Sequence, residues 1–222
     1  MPPPMTVTLV KAPAFPLAAR MSDLSDQNGA GQPMLEWRDG GVPVSTRFDD
    51  PYFSLAGGLE ETRHVFLAGN DLPARLVPDF HVAELGFGTG LNCLVLASVA
   101  QVPVRMTSFE AWPMSVAQME QAHAAFPTLA PLAAQLRAGW GQPVIQVGTV
   151  TLHLEIGDVA ARLPGWQGRA DAWFLDGFSP AKNPEMWADQ IMAEVGRHTA
   201  PGGSFATYTA AGFVRRALEV AG

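Results

Sequence analysis

The sequence predicts an α/β fold built on one doubly wound, mostly parallel sheet. From residue 80 onward short apolar runs alternate with helical stretches, and glycine or acidic residues stand where several of the runs end. Parallel strands need crossover helices, so five such repeats predict a parallel sheet that binds ligands beyond the carboxyl ends of its strands. The predicted strands are 80–85, 104–110, 150–158, 170–176 and 203–209.

Helical stretches follow these runs in turn. They are predicted at 91–100, 113–126, 159–163, 183–195 and 211–221. The alanine-rich stretch 122–138 is also expected to be helical. Asn183 and Pro184 suit the N-cap and the first position of the fourth helix.

An N-terminal extension over 34–79 precedes the main domain, which we assign to residues 80–222. Residues 34–46 hold two short runs around an Asp-Gly-Gly turn and predict a β-hairpin, whereas 59–69 have helical spacing. Residues 1–33, which are proline-rich and then polar, are expected to form a disordered lead.

Composition limits the class of protein. Hydrophobic residues make up 48% of the chain, but no apolar run approaches the roughly 18–20 residues that span a bilayer, so no membrane segment is expected. The single cysteine, Cys93, favours a reducing compartment, the cytoplasm. The five histidines show no ligand spacing, so no metal site is expected. A net charge of −7 means that any RNA partner must bind a local basic patch.

The first predicted strand runs into a glycine-rich loop. Its residues are Glu84-Leu85-Gly86-Phe87-Gly88-Thr89-Gly90, and Leu91-Asn92 open the next helix. The spacing is GxGxG, and Leu91 stands where a dinucleotide fingerprint has its third glycine. This favours a loop for S-adenosylmethionine, with Asn92 beside it and Glu84 holding the ligand's ammonium directly or through water. A nucleotide loop or a purely structural turn is the alternative.

Three further residues follow strand ends and are candidates for the same ligand. Glu110 closes the second strand, where a carboxylate can accept both ribose hydroxyls, although a nicotinamide enzyme uses the same device. Trp112 would cover the adenine or fill the core. Asp158 would accept from the adenine amino group or cap the next helix, and the two roles are compatible.

The fourth strand carries the candidate catalytic residue. Asp176 precedes a Gly-Phe-Ser-Pro turn, at the point where a carboxylate would face the ligand's reacting group. We predict that Asp176 is both catalytic and cofactor-binding and that Phe178 stacks on a planar substrate. The simpler interpretation is a turn-forming Asp-Gly pair.

Six stretches resemble the methyltransferase domain of the MnmC family, the bifunctional tRNA 5-methylaminomethyl-2-thiouridine biosynthesis proteins. They are VPVSTRFDDPYFS, GLEETRHVFLAGN, AELGFGTGLN, SFEAWP, DAWFLDGFSPAKNPEMW and FATYTAAGFVRRALEVAG. The resemblance implies a Rossmann-like class I fold and methyl transfer from S-adenosyl-L-methionine. The acceptor it implies is the amine of 5-aminomethyl-2-thiouridine at the wobble position (U34) of tRNA.

The resemblance also carries expectations about partners and roles. The anticodon loop of tRNA would bind a patch formed by Lys182, Arg215 and Arg216, although the arginine pair would equally suit a solvated helix face. Asp176 would accept the proton of the amine. The family continues past the equivalent of Gly222, so we expect a longer native protein with more C-terminal strands. An oxidoreductase domain, fused or separate, would supply the amine, and FAD is expected only with that domain.

Three other functions stay open from the residues alone. A methyltransferase that acts on a small amine or a protein would use the same loop and acids without a basic surface. A nicotinamide or flavin oxidoreductase fits the GxGxG spacing poorly. A catalytically silent RNA-binding module would not need Glu84, Glu110 and Asp176 together.

Overall fold

The computed structural model describes residues 31–38, 40–54 and 57–221. The expected disordered lead at 1–33 therefore lies outside the described residues, apart from its last three. Within them, no helix is long and apolar enough to cross a membrane.

The extension begins with the predicted β-hairpin, which is confirmed. Strand β1 (Leu35–Arg38) pairs antiparallel with β2 (Val42–Ser45), and a two-residue strand, β3 (Asp50–Pro51), pairs with the other edge of β2. Gly40 and Gly41 turn the chain at positive φ. The predicted helix follows as α1 (Gly58–Thr62), and it widens into a π-helical turn over Arg63–Ala68.

The main sheet has six strands, and the α/β prediction is confirmed. They are β4 (Phe80–Leu85), β5 (Val104–Glu110), β6 (Ile145–Val147), β7 (Val150–Ile156), β8 (Ala170–Leu175) and β9 (Thr199–Ala206). Their order is β6-β7-β5-β4-β8-β9, and all are parallel except β6, which runs antiparallel to β7. Because β5 and β8 flank β4 on opposite sides, the strand order reverses at the end of β4. Ligands bind at such a switch point.

Two strands differ from the prediction. Three-residue β6 was missed because it is too short to show periodicity. The last strand was predicted at 203–209 but spans Thr199–Ala206, and it contains Pro201 and Gly202. The register with β8 slips there, and Gly202 has φ +77°. A strand with a bulge and only one paired edge tolerates a proline, which cannot donate to a ladder.

The helices cover both faces of the sheet. They are α2 (Leu91–Val99), α3 (Val116–His123), α4 (Ala130–Ala138), α5 (Val159–Arg162), α6 (Asp189–Arg197) and α7 (Gly212–Ala221). The expected helix over 122–138 is interrupted at a 3₁₀ turn, Pro127–Leu129, because proline lacks the N–H of a helix interior. The fourth predicted helix likewise opens as a 3₁₀ turn, and Asn183 makes no capping hydrogen bond there.

Neighbouring residues of β4 belong to two different cores. Val82 packs with α2 and α4 residues such as Leu94 and Leu136 on one face. Ala83 packs with α6 residues such as Ile191 on the other. All six residues of β4 are buried, as expected for a central parallel strand. The loop that follows β4 therefore starts from a rigid base.

Candidate functional site

A cavity of about 650 Å³ lies beyond the carboxyl ends of β4, β5, β7 and β8. Residues after all four strands line it, together with part of α1 and residues 47–54 of the extension except Asp49. Ten of the predicted site residues lie on its wall. They are Gly86, Phe87, Gly88, Thr89, Asn92, Glu110, Trp112, Asp158, Asp176 and Phe178.

The glycine loop needs its glycines for space as well as for conformation. Gly86 has φ +85°, and a Cβ there would lie 2.8 Å from the backbone oxygen of Asp176. Gly88 has φ +55°, and a Cβ there would lie 3.1 Å from Tyr52 Cδ1. Side chains at these positions would be strained and would crowd the end of β8 and the extension. The glycine loop is thus packed between the end of β8 and the N-terminal extension.

Glu110 holds the loop by its carboxylate. Its Oε2 accepts from Gly88 N at 2.8 Å, and its Oε1 accepts from Trp112 N at 2.7 Å. Burial raises the pKa of Glu110, and these backbone hydrogen bonds oppose the rise. Glu110 also lines the cavity, so a bound ligand would lie beside its carboxylate.

Asp158 both caps a helix and lines the cavity. Its Oδ1 accepts from Ala160 N at 2.8 Å at the start of α5. The capping role is therefore confirmed, and the carboxylate remains within the wall of the same cavity.

A hydrogen-bonded chain of side chains underlies the wall. Asn92 Nδ2 donates to Glu84 Oε1 at 2.8 Å and to Asp176 Oδ2 at 2.7 Å, and Ser108 Oγ donates to Glu84 Oε2 at 2.6 Å. Glu84 is fully buried and lies behind the wall instead of on it. Burial raises its pKa well above the usual range. The structure thus gives Glu84 protein partners where the sequence predicted a ligand's ammonium.

Asp176 combines burial with an exposed edge on the cavity. Besides Asn92, its carboxylate accepts from Gly177 N at 2.8 Å. Burial raises the pKa of Asp176 to about 7, and the two hydrogen bonds oppose part of that rise. A carboxyl group with such a pKa can take up a proton near neutral pH, as a general base must.

Sequence reasoning missed a segment of the extension, residues 47–54, which we call the strap. Phe48 stacks on Phe178 with ring centroids 4.8 Å apart, and Tyr52 meets the same ring edge-on at 5.0 Å. Phe178 therefore already has aromatic partners, whereas a substrate was expected to stack on it. Nothing near the strap in sequence indicates these contacts, which join residues about 130 positions apart.

Tyr208, which follows β9, was also missed. It lines the cavity, and its hydroxyl donates to the backbone oxygen of Gly177, next to Asp176. Burial raises the pKa of Tyr208, and the nearby Asp176 carboxylate adds to the rise.

The wall is strongly acidic. Among the described residues that line the cavity, six are acidic and Arg47 alone is basic. The acidic residues are Asp50, Glu61, Glu110, Asp158, Asp176 and Glu185. Such a wall favours cationic ligands, because low-dielectric surroundings strengthen their attraction to carboxylates.

Two of the three residues of the predicted basic patch already have acidic partners. Lys182 Nζ donates to Asp50 Oδ1 at 3.1 Å and to the backbone oxygen of Asp49. Arg215 pairs with Glu219 at 3.0 Å on the exposed face of α7, and neither Arg215 nor Arg216 lines the cavity. Gly90 also lies off the wall, beneath Phe87 and Leu136.

Comparison with known families decides what kind of site this is. Residues 120–222 match the model of a family described as S-adenosyl-L-methionine-dependent methyltransferase. This C-terminal part of the chain is thus similar to S-adenosyl-L-methionine-dependent methyltransferases. The resemblance to MnmC is confirmed by relatives called tRNA 5-methylaminomethyl-2-thiouridine biosynthesis bifunctional protein MnmC.

Two of these relatives show how far the similarity extends. The protein from Ectopseudomonas mendocina is 46% identical over 221 residues, which cover 90% of this chain and 33% of that protein. The protein from Chromobacterium violaceum is 46% identical over 206 residues, which cover 85% of this chain and 31% of that protein. The chain thus spans about a third of the length of the curated relatives it matches.

A solved structure supports the same fold. The crystal structure of MNMC2 from Aquifex aeolicus superposes with a TM-score of 0.68 at 22% identity, and the match covers 86% of the present chain and 65% of the MNMC2 chain.

Proposed function

We propose that this methyltransferase transfers a methyl group from S-adenosyl-L-methionine to the amine of 5-aminomethyl-2-thiouridine at the wobble position (U34) of tRNA. The product would be 5-methylaminomethyl-2-thiouridine. The observation that carries the proposal is Asp176, a carboxylate with a pKa near 7 that lies on the cavity wall beside the glycine loop. Similarity to the MnmC proteins supports the choice of acceptor.

The cavity fits the cofactor on three counts. Its volume, about 650 Å³, lies within the usual range of small-molecule sites. The loop brings backbone close to the cavity at Gly86 and Gly88, where a Cβ would not fit without strain. Glu110 offers carboxylate oxygens for the ribose hydroxyls, while Trp112 and Asp158 would flank the adenine. Gly90 and Glu84 would support this arrangement from behind.

Methyl transfer to an amine requires the protein to align the amine with the methyl group and to provide one proton acceptor. Bound S-adenosyl-L-methionine supplies an electrophilic methyl group on a sulfonium that leaves without acid assistance. The acceptor amine is mostly protonated at neutral pH and has no lone pair until it loses a proton. Asp176 would accept that proton while the amine nitrogen forms its bond to the methyl carbon and the bond electrons pass to sulfur. The acidic wall would hold both cations in line.

The RNA contact would lie on the strap side of the cavity. Arg47 is exposed there, and its guanidinium stacks over Trp112 at 4.4 Å from the ring centroid. Lys182 and Arg215 already have carboxylate partners, so among the predicted cations Arg216 is the better candidate for a further phosphate contact. A wobble base in a loop is easily unstacked, so its amine can reach Asp176 at low cost.

A tRNA substrate would place the activity in the cytoplasm. The relatives are about three times longer than this chain, which leaves room for an oxidoreductase domain with FAD that supplies the amine. The family match supports methyl transfer over a nicotinamide or flavin oxidoreductase activity for this chain. A methyltransferase for a small amine or a protein is the remaining competitor, and the acidic wall fits it equally.

One experiment separates these acceptors. The purified protein is incubated with labelled S-adenosyl-L-methionine and with tRNA from cells whose wobble uridine carries the aminomethyl group, and the nucleosides are then analysed by mass spectrometry. We expect one added methyl group on that nucleoside and none on tRNA that lacks the aminomethyl group. Equal labelling of both tRNAs, or labelling only of small amines or protein in extract, would refute the proposed acceptor.

A further inference from the structure

We infer that Asp50 is a positioning residue for methyl transfer, because it fastens the strap to the turn that follows Asp176. The inference rests on the proposed function for its effect on turnover. It assigns a role in the reaction to the N-terminal extension, which contributes no residue to the predicted loop or to the predicted acids.

Asp50 reaches the turn with both carboxylate oxygens. Oδ2 accepts from Ser179 N at 2.9 Å, and Oδ1 accepts from Lys182 Nζ at 3.1 Å. The side chain of Asp50 is only 19% exposed and that of Lys182 is 38% exposed. A charged acceptor on a backbone N–H in partly buried surroundings makes a stronger link than an exposed surface ion pair.

The strap presents one face to the turn over three alternate positions. Phe48 and Tyr52 contact Phe178 by their rings, and Asp50 between them binds Ser179 and Lys182. Phe48 belongs to a turn over residues 46–49, in which Asp49 has φ +48°, and Asp50 begins β3 directly after it. The strap is itself anchored, because Asp50 pairs with Ser45 of β2.

The turn needs such an anchor on its outer side. Gly177, which follows Asp176 directly, has φ +153° and lacks a side chain to restrict it. On the inner side, Trp187 Nε1 donates to the backbone oxygen of Phe178 at 2.9 Å. Asp50 holds the next residue from the opposite side. Without Asp50, the turn would keep the hydrogen bonds from Tyr208 to Gly177 and from Trp187 to Phe178 but lose the one at Ser179.

The test uses a series of variants at both ends of the link. Asp50→Ala removes both contacts of this side chain, and Asp50→Asn keeps an acceptor for Ser179 N. Lys182→Met removes the ion pair together with the hydrogen bond to the backbone oxygen of Asp49. Asp49→Asn is the matched control. It removes the same charge one residue earlier, from a side chain that is 82% exposed and approaches Lys182 Nζ only to 4.0 Å, where an ion pair contributes little. Each protein is measured for kcat and KM on tRNA, for cofactor affinity, and for amide hydrogen exchange over 176–183.

We expect Asp50→Ala to lower kcat about a hundredfold, the scale of a small misplacement of a catalytic group, and to speed exchange over 176–183. Cofactor affinity should stay close to that of the wild type. Asp50→Asn should recover much of kcat, and the Asp50→Ala/Lys182→Met double variant should be no worse than Asp50→Ala because both changes break one link. Asp49→Asn should behave like the wild type.

Three outcomes would overturn the inference. One is wild-type kcat and slow exchange in Asp50→Ala. The second is a Lys182→Met variant with unchanged kcat and a raised KM for tRNA, which would make Lys182 an RNA contact. The third is a double variant in which the effects of the two substitutions on kcat are additive.

If Asp50→Ala fails to fold, Asp50→Asn and Lys182→Met carry the same test. If the wild type does not methylate tRNA, the proposed function fails, whereas exchange over 176–183 still shows whether Asp50 holds the turn.

Discussion

The side-chain amide of Asn92 donates to the carboxylate of Asp176 at 2.7 Å, and this bond joins the glycine loop to the candidate base. The other hydrogen of the same amide goes to buried Glu84, 2.8 Å away. An amide nitrogen has two hydrogens, so both are used. Glu84 thus orients Asn92, and Asn92 in turn stabilises the charged form of Asp176.

This relationship predicts the pH dependence of an Asn92→Ala variant. The hydrogen bond from Asn92 lowers the pKa of Asp176, which burial has raised to about 7. Removing it should raise that pKa further, so the acidic limb of the rate profile should move to higher pH. Ser108→Ala is the control, because Ser108 binds Glu84 and does not touch Asp176. An unmoved limb in Asn92→Ala would show that the bond does not tune the base.

A second prediction concerns the glycine loop. Gly86→Ala should unfold more easily than the wild type and bind S-adenosyl-L-methionine weakly, since the new Cβ would lie 2.8 Å from the Asp176 backbone oxygen at a φ of +85°. The cost should be about 1–3 kcal/mol, as for other strained backbone positions. Chemical denaturation and calorimetry measure both effects. Gly165→Ala is the control, because a Cβ there meets nothing within 4 Å; equal losses in the two variants would contradict the steric argument.

The sheet could be predicted because its signals are local. The bounds of β4 and β5 agree with the prediction, since each is an apolar run with a clear break at both ends. The acidic residues at the strand ends could also be predicted to share one site, because parallel strands bring their carboxyl ends to one edge of the sheet. The role of Glu84 could not be predicted in this way. The sequence pattern places Glu84 at the same edge of the sheet, but it does not reveal that Ser108 and Asn92 already donate hydrogen bonds to its carboxylate.

The strap could not be predicted, because its contacts are long-range. Asp50 and Ser179 are 129 positions apart, and neither belongs to a helix or strand pattern that implies the other. The charge of Lys182 illustrates the consequence. A lysine beside the candidate catalytic turn suggests an RNA contact until the fold shows that Asp50 neutralises it.

A third prediction concerns the cofactor. Glu110→Ala should weaken S-adenosyl-L-methionine binding by about 1–3 kcal/mol, the usual cost of losing hydrogen bonds to a charged group. It would also leave the N–H groups of Gly88 and Trp112 without their acceptor. Glu110→Gln should bind more tightly than Glu110→Ala because it keeps one acceptor oxygen. A calorimetric dissociation constant equal to that of the wild type in Glu110→Ala would remove this residue from the site.

The tRNA contact gives a fourth prediction. Arg47→Ala should raise KM for tRNA and reduce the slope of log K against log salt by about one, the loss of a single phosphate contact. The Arg215→Ala/Arg216→Ala variant serves as comparison, since these side chains lie outside the cavity wall. Filter binding at several salt concentrations measures both slopes. If Arg215→Ala/Arg216→Ala lowers tRNA affinity more than Arg47→Ala does, the phosphate contact lies at the basic patch that the sequence predicted.

The last prediction separates chemistry from binding at Asp176. Asp176→Ala and Asp176→Asn should keep the fold and most of the cofactor affinity but lose methyl transfer by about a hundredfold or more, the scale of a lost acid–base group. Asn is the sharper change, because it keeps the size of the side chain but cannot take a proton. In the wild type, turnover should fall as pH drops through about 7, where the carboxylate becomes protonated.

The same pKa also predicts how the stability of the fold depends on pH: stability should rise as pH drops, whereas turnover should fall. Because folding raises the pKa of Asp176 from 3.8 to about 7, the folded chain binds this proton more tightly than the unfolded chain. The stabilisation is fully present below pH 4 and is lost as pH rises to about 7. Asp176→Asn never ionises, so it should melt at a higher temperature than the wild type above pH 7, and the gap should close in acid. Two results together would contradict the catalytic role. They are near-normal turnover of Asp176→Ala and Asp176→Asn on tRNA that carries the aminomethyl group, and melting temperatures equal to that of the wild type at every pH. Asp176 would then be only a turn-forming residue.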